Sequence, residues 1–337
     1  IVRTMDDAKC SPVVNGQCIK GARSGPVVLD LGQPVTRIAS ASGGNYFAAV
    51  LKDGYTIMTW GKFVYISQGL DLLTQDAGFG EMGELGRSAD MANAKNGEYN
   101  LSSLVKKIET DEDGKEYSKF DLENAATYFL TPGRARYAGT IPFPKFRVID
   151  IACGINHMMV IARGSNGRTK LYGTGGNIGG ELGVGDQKPR HELTEVPDMD
   201  GCHRVAAGKC HTIILADCGH TLYGCGYNQE GQVGVGTPDD AKGTKTITKP
   251  MRIDIAGNFR PVFQSISAGD ETSFAITMDG RLYSWGGGSS PVTGHATDAA
   301  GRSEGSICWP REVKDIPGTV LGVSGSSQAT IGLFGSK

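Results

Sequence analysis

Short apolar runs alternate with glycine-containing turns along most of this chain. In "HTIILA" (His211 to Ala216) and "RLYSWG" (Arg281 to Gly286), apolar and polar positions alternate as in a strand with two unlike faces. The runs recur in units. Val148, Val205, Val262 and Val320 open four of them, spaced 57, 57 and 58 residues apart, and an earlier unit opens at Val35. Each unit holds an apolar run, a glycine turn, a second apolar run, and a further turn such as Asp53-Gly54 or Asp279-Gly280. A third run follows, ending in Trp-Gly or Cys-Gly. A proline then leads into a fourth extended stretch, Pro250–Ile253 or Pro310–Val313. Four strands in a unit of this length predict a propeller blade.

The stretch "GTGGNIGGELGVGD" (Gly173 to Asp186) tests this reading, because it resembles a phosphate-cradling loop. A dinucleotide fingerprint needs G-x-G-x-x-G between a strand and a helix. From Gly173 that register puts Ile178 at the third glycine, and no amphipathic helix follows. The stretch recurs as "YGCGYNQEGQVGVG" (Tyr223 to Gly236) and, reduced, as "GEMGELG" (Gly80 to Gly86). It is therefore expected to be a turn between blade strands.

These residues resemble the repeat of the regulator of chromosome condensation family. The matching positions are Ile151-Ala152-Cys153-Gly154 with His157, and Ala206-Ala207-Gly208 with His211. Asp279-Gly280, Tyr283-Ser284-Trp285-Gly286, Gly231-Gln232-Val233-Gly234 and Glu181-Leu182-Gly183-Val184-Gly185 also match. The resemblance covers 148–337 well and 35–61 clearly. It implies an all-β fold, a β-propeller of five to seven four-stranded blades with a long hairpin and helix insertion between early blades. The expected organisation is an N-terminal extension over 1–25 and a propeller over 26–337, with insertions at 62–79 and 87–143. "GPVVLDLG" (Gly25 to Gly32) is expected to add a fourth strand to the last unit and close the ring.

Composition narrows the function. Glycine, at 50 of 337 residues, is about twice its usual share, which fits many tight turns. The net charge of −2 supplies no global attraction to nucleic acid or an anionic membrane. Direct nucleic-acid binding is weakly supported: the first 25 residues carry Arg3, Lys9, Lys20 and Arg23 against Asp6 and Asp7. No apolar run is long enough for a membrane-spanning helix. Eight cysteines in a chain of this length are expected to be free thiols in an intracellular, reducing compartment.

No catalytic residue, cofactor site or metal site is expected. His157 and His211 recur at one repeat position, and a catalytic group is needed only once. They are expected to brace a turn by bonding backbone. Cys202, Cys210, Cys218 and Cys225 with nearby histidines lack zinc-knuckle spacing, since an apolar strand separates Cys210 from Cys218. Trp60, Gly154, His157, Gly208, His211 and Trp285 are read as structural repeat positions.

The insertion is the least repeat-like part. "SLVKKIETDEDGKEYSKF" (Ser103 to Phe120) predicts a β-hairpin turning at Asp113-Gly114. "FDLENAATYFL" (Phe120 to Leu130) predicts a short helix stopped before Pro132. Glu109, Asp111, Glu112, Asp113, Tyr128, Phe129, Arg134 and Arg136 are the candidate docking residues, because an insertion this long is uncommon without a role. The expected function is a non-enzymatic scaffold that binds other proteins within a larger assembly. The resemblance also implies an alternative: nucleotide exchange on a Ran-like small GTPase through a projecting β-wedge. The acidic hairpin is the candidate analogue of that wedge, although no motif aligns with it. With Trp60, Trp285 and Trp309 alone, the chain lacks the clustered tryptophans of the family's plant ultraviolet-B receptor.

Overall fold

The computed structural model describes residues 13–14, 17–18, 33–41, 46–61, 107–110, 116–119, 139–140, 146–236, 246–255, 260–287, 291–295, 306–326 and 329–335. Of seven antiparallel sheets among the described residues, two are separate strand pairs, Val13–Val14 with Gln17–Cys18 and Lys107–Thr110 with Glu116–Lys119, and the other five follow one another along the chain. The first holds Val35–Ser40, Tyr46–Leu51, Ile57–Gly61 and Gly139–Thr140. The second holds Arg147–Cys153, His157–Arg163, Thr169–Gly175 and Arg190–Glu195. The third holds Cys202–Ala207, His211–Ala216, Thr221–Tyr227 and Thr246–Ile253. The fourth holds Phe263–Ala268, Thr272–Thr277, Leu282–Gly286 and Ile307–Glu312. The fifth holds Thr319–Gly325 and Thr330–Gly335. Within each sheet the strands lie in chain order, and the first strands of successive sheets lie side by side. This is the propeller arrangement.

Both faces of a central sheet are covered, which explains why second strands such as "HTIILA" are buried along their whole length. Alternate side chains serve opposite neighbours. Ala48 and Val50 of the first sheet pack with Val148 and Ile151 of the second. Met159 and Ile161 pack with Cys202 and Val205. Ile213 and Leu215 pack with Phe263, and Ile266 flanks them. Phe274 and Ile276 pack with Val320, flanked by Val323. Burying one such aliphatic or aromatic side chain is worth about 1.5–3 kcal/mol, so these joints hold the array together.

The evenly spaced valines do not mark one structural position. Val148 and Val320 share a register position with Cys202 and Phe263. Val205 shares another with Ile151, Ile266 and Val323. Unequal fourth strands and unequal connections before and after them cause this, since an even count along the chain cannot follow register through segments of different length. A β-bulge near the start of every first strand adds one unpaired residue in each sheet.

The expected fourth strands form, but they begin before the prolines: Pro250 lies inside Thr246–Ile253 and Pro310 inside Ile307–Glu312, which ends one residue before Val313. Gly139–Thr140 pairs with Ile57–Gly61 as the last strand of the first sheet, although it falls within the range read as insertion. The inserted residues therefore occupy the connection between the third and fourth strands of that sheet. Gly25 to Gly32 and the helix expected over 120–130 lie outside the described residues. Among the described residues, no helix is long and apolar enough to cross a membrane.

Candidate functional site

The repeat positions build a staple between neighbouring sheets. Each second strand begins at a hub residue: Tyr46, His157, His211 or Thr272. His157 and His211 are fully buried. Their rings do not bond their own turns, as the sequence suggested, but reach the next sheet. His157 Nε2 lies 3.0 Å from Thr212 Oγ1, and His211 Nε2 lies 2.9 Å from Ser273 Oγ. Thr212 donates to the Glu181 carbonyl at 2.8 Å, and Ser273 donates to the Gln232 carbonyl at 2.7 Å. A hydroxyl has one proton to give. Each histidine therefore donates from Nε2, and Nδ1 is the bare acceptor. The Tyr46 hydroxyl makes the corresponding reach, donating to the His157 carbonyl.

Hub glycines make room for the rings. A Cβ built on Gly154 would lie 2.1 Å from His157 Cε1 and 2.5 Å from the Gly208 carbonyl oxygen. A Cβ on Gly208 would lie 2.1 Å from His211 Cε1 and 2.5 Å from the Gly269 carbonyl oxygen. The Gly-x-x-His spacing thus encodes a close approach between successive sheets.

The same carbonyls receive a second donor. Trp285 Nε1 donates to Gln232 at 3.0 Å, and Cys225 Sγ donates to Glu181 at 3.4 Å. Trp285 is fully buried. Trp60 lies in the corresponding third strand, Ile57–Gly61. The sequence reading aligned Glu181 with Gln232 but missed Thr212 and Ser273 as their donors. A signal was present: a hydroxyl residue directly follows the hub in "HT" and "TS".

The electrostatics are those of a structural core. Burial pulls the pKa of His157 and His211 down to about 3, so both are neutral at pH 7. Their Nδ1 atoms are buried and unpaired. Burial pushes the Cys153 and Cys202 thiols up to about 12 and raises that of Cys225 further. Cys210, also raised mainly by burial, reaches about 11. Thiols this weakly acidic are poor nucleophiles and poor metal ligands. Among the described residues, no three His, Cys, Asp or Glu side chains converge as a metal site would require.

The docking candidates stand elsewhere. Lys107–Thr110 pairs with Glu116–Lys119 as a separate two-stranded sheet, with Glu109 opposite Tyr117 and Thr110 opposite Glu116. This is the hairpin expected from "SLVKKIETDEDGKEYSKF". Of the candidates, Glu109 is on its first strand. Asp111, Glu112, Asp113, Tyr128, Phe129, Arg134 and Arg136 lie outside the described residues.

With this geometry in hand, comparison with known proteins is direct. Residues 219–276 match the family described as "Regulator of chromosome condensation (RCC1) repeat", and residues 263–290 match a second description of the same repeat. Residues 219–290 thus carry the regulator of chromosome condensation repeat, and the chain has the β-propeller fold of that repeat. It is 30% identical over 190 residues to the mouse X-linked retinitis pigmentosa GTPase regulator, covering 55% of this chain and 17% of that protein. It is 28% identical over 206 residues to the guanine nucleotide exchange factor SRM1 of Saccharomyces cerevisiae, covering 54% of this chain and 41% of that protein. The chain therefore spans less than half of either relative. The crystal structure of Prp20p from Saccharomyces cerevisiae, described with its binding to Gsp1p and histones, superposes with a TM-score of 0.58 at 20% identity. That match covers 92% of this chain and 58% of Prp20p. Human WBSCR16 gives the same TM-score at 18% identity, covering 97% of this chain and 70% of that protein. At these identities the structural likeness carries the fold alone.

Proposed function

We propose that this chain is a non-enzymatic propeller that binds other proteins as a subunit of a larger assembly, with the insertion in its first sheet as the docking element. The observation that carries this reading is the hairpin of Lys107–Thr110 and Glu116–Lys119. It is placed in the chain between Ile57–Gly61 and Gly139–Thr140, and among the described residues the corresponding connections of the other four-stranded sheets contain no strand. The buried histidines and thiols support the non-enzymatic part, because their polar atoms serve the joints between sheets. The test is affinity capture of the native complex with the intact chain and with a deletion of 87–138, which leaves the Gly139–Thr140 strand in place. Loss of specific partners from the deletion supports docking through the insertion. An identical set of partners from both chains overturns it.

A second reading is guanine-nucleotide exchange on a small GTPase. It draws on SRM1, named as an exchange factor, and on Prp20p, described with its binding to Gsp1p. The hairpin is acidic, with Glu109 and Glu116 on its strands and Asp111, Glu112 and Asp113 between them. Fluorescent GDP release from a Ran-type GTPase tests this reading. A rate increase that disappears with the hairpin supports exchange, and an unchanged rate rejects it.

A further inference from the structure

Lys52, Arg163, Asp217 and Met278 close the second strands of four successive sheets at one register position. Across the ladder they face Pro34, Arg147, Gly201 and Val262. The N–H groups of Lys52, Asp217 and Met278 donate to the Pro34, Gly201 and Val262 carbonyls at 2.8, 3.3 and 2.8 Å. In the second sheet the same position is the ladder pair of Arg147 and Arg163. Like charges directly opposite each other on an antiparallel pair are destabilising. The other three sheets fill the position without such a pair, so the fold itself asks for neither arginine.

Further cations gather around this pair. A Cβ built on Gly54 would lie 3.7 Å from Arg147 Cγ and Nε, and the Val148 N–H donates to the Gly54 carbonyl at 2.8 Å. Arg147 therefore lies against the turn at 52–56 of the first sheet. Arg168 directly precedes Thr169, the other ladder partner of Arg163. Lys52, Arg147, Arg163 and Arg168 are exposed, and among the described residues none of them forms an ion pair. Asp53, inside the turn, is already committed. It accepts from the Tyr55 and Thr56 N–H groups at 2.8 and 2.9 Å and from the Thr56 hydroxyl at 2.6 Å. Tyr55, 48% exposed, adds an aromatic ring to the patch.

The patch is also short. In the third sheet the position of Arg163 passes to Asp217, and the connection into that sheet carries Asp198 and Asp200, all three exposed. The Gly201 N–H donates to the Thr169 carbonyl at 3.3 Å, which sets this acidic connection beside the patch. A DNA duplex or an anionic membrane spreads its negative charge over a wider area and would meet those carboxylates. A short acidic segment of a protein fits between them. We propose that Lys52, Tyr55, Arg147, Arg163 and Arg168 form a docking surface for such a segment of a partner protein. The guanidinium groups take its carboxylates, and an apolar side chain among them packs on the Tyr55 ring. The proposal rests on the reading of the chain as a protein-binding subunit, but its surface is separate from the insertion.

Fluorescence anisotropy of a labelled peptide, glutamates flanking one phenylalanine, titrated with the full chain tests the proposal. The wild type is expected to bind it saturably, with an affinity that falls as salt is raised. Arg147→Gln with Arg163→Gln should weaken binding on the order of tenfold. The same double variant should melt no lower than the wild type, because it removes a repulsion and no native contact. Arg168→Gln lies outside the ladder and should weaken binding a few-fold on its own, about the effect of one exposed charge. Lys188→Gln with Lys249→Gln removes two exposed charges elsewhere and should leave binding unchanged. No saturable binding overturns the proposal, as does equal binding by the double arginine variant or equal weakening by the lysine control. A double arginine variant that melts well below the wild type shows that the arginines serve the fold, and also overturns it. A DNA duplex of the same formal charge, or phosphatidylserine vesicles, binding as tightly as the peptide and lost with the same arginines would reassign the patch to polyanions in general. A deletion of 87–138 should bind the peptide like the intact chain, so failure of this surface and failure of docking through the insertion are separate results.

Discussion

Cys225 and Trp285 occupy the same position in successive sheets, and each donates to the carbonyl of the residue at the matching loop position. Cys225 Sγ reaches Glu181 at 3.4 Å, and Trp285 Nε1 reaches Gln232 at 3.0 Å. One small side chain and one large one thus perform the same anchoring between the third strand and a glycine-rich loop. The indole bond is separable from the bulk around it. Trp285→Phe keeps most of the volume, and Ser273 still donates to Gln232. The expected loss is about 1–2 kcal/mol. Trp285→Ala also opens a cavity and should cost about 3–5 kcal/mol. Urea unfolding of the two variants checks the difference, and equal losses would count against a role for the N–H bond.

Glu181 stands where the fourth sheet's joint uses Gln232, and the two side chains do the same work. Glu181 Oε2 accepts from the Gly179 N–H at 2.7 Å, and Gln232 Oε1 accepts from the Glu230 N–H at 2.9 Å. Burial holds the Glu181 pKa above its ordinary value. The folded state therefore keeps its proton where the unfolded chain has lost it, and stability falls as pH rises through that window. Glu181→Gln should raise the melting temperature at pH 7 and leave it unchanged near pH 4. A variant that is less stable than the wild type at pH 7 would mean that the charge itself is required.

The hub histidines shift the acid side in the opposite sense. Both pKa values lie near 3 in the folded chain, against an ordinary value of 6.5. Below the ordinary value the unfolded chain takes up protons that the folded chain refuses. Each histidine then weakens folding about tenfold in equilibrium constant per pH unit, from about pH 6 down toward pH 3. Above pH 7 neither contributes a pH dependence. His211→Gln should flatten the dependence of the urea midpoint on pH between 6 and 4 relative to the wild type. A slope equal to that of the wild type would falsify the buried neutral imidazole.

Two glycines separate close approach from turn geometry. At Gly154 an added methyl meets the His157 ring and the backbone of the next sheet, whereas at Gly167 (φ +78°) it meets nothing within 4 Å. Gly154→Ala should therefore cost about 3 kcal/mol or more. Gly167→Ala should cost only the backbone strain, about 1 kcal/mol. Comparable melting temperatures for the two would contradict the packing seen at the hub.

The strand-and-turn character of the repeat was legible because it follows local pattern: short apolar runs such as "RLYSWG" between glycine turns, Asp-Gly among them. The hairpin at 107–119 was legible for the same reason. Register was not, because Val148, Val205, Val262 and Val320 are evenly spaced in sequence but sit at different heights in their sheets. The direction of the histidine bonds was also hidden. Whether His157 reaches its own turn or Thr212 depends on how two sheets stack, and no pattern along one strand carries that. The docking candidates were visible only as a break in the repeat.

The pairing of Gly139–Thr140 with Ile57–Gly61 also sets an order of assembly. In the second, third and fourth sheets, the third and fourth strands are joined across 176–189, 228–245 and 287–306. In the first sheet, residues 62–138 intervene. Closing that longer loop costs about 1 kcal/mol more in chain entropy than closing the shorter ones. On a growing polypeptide, the first three strands emerge long before their last partner. The sheet opened by Val35–Ser40 is thus completed only as synthesis reaches the next one. Until then its Ile57–Gly61 edge stays open, making this the stage at which the nascent protein most needs shielding from its neighbours.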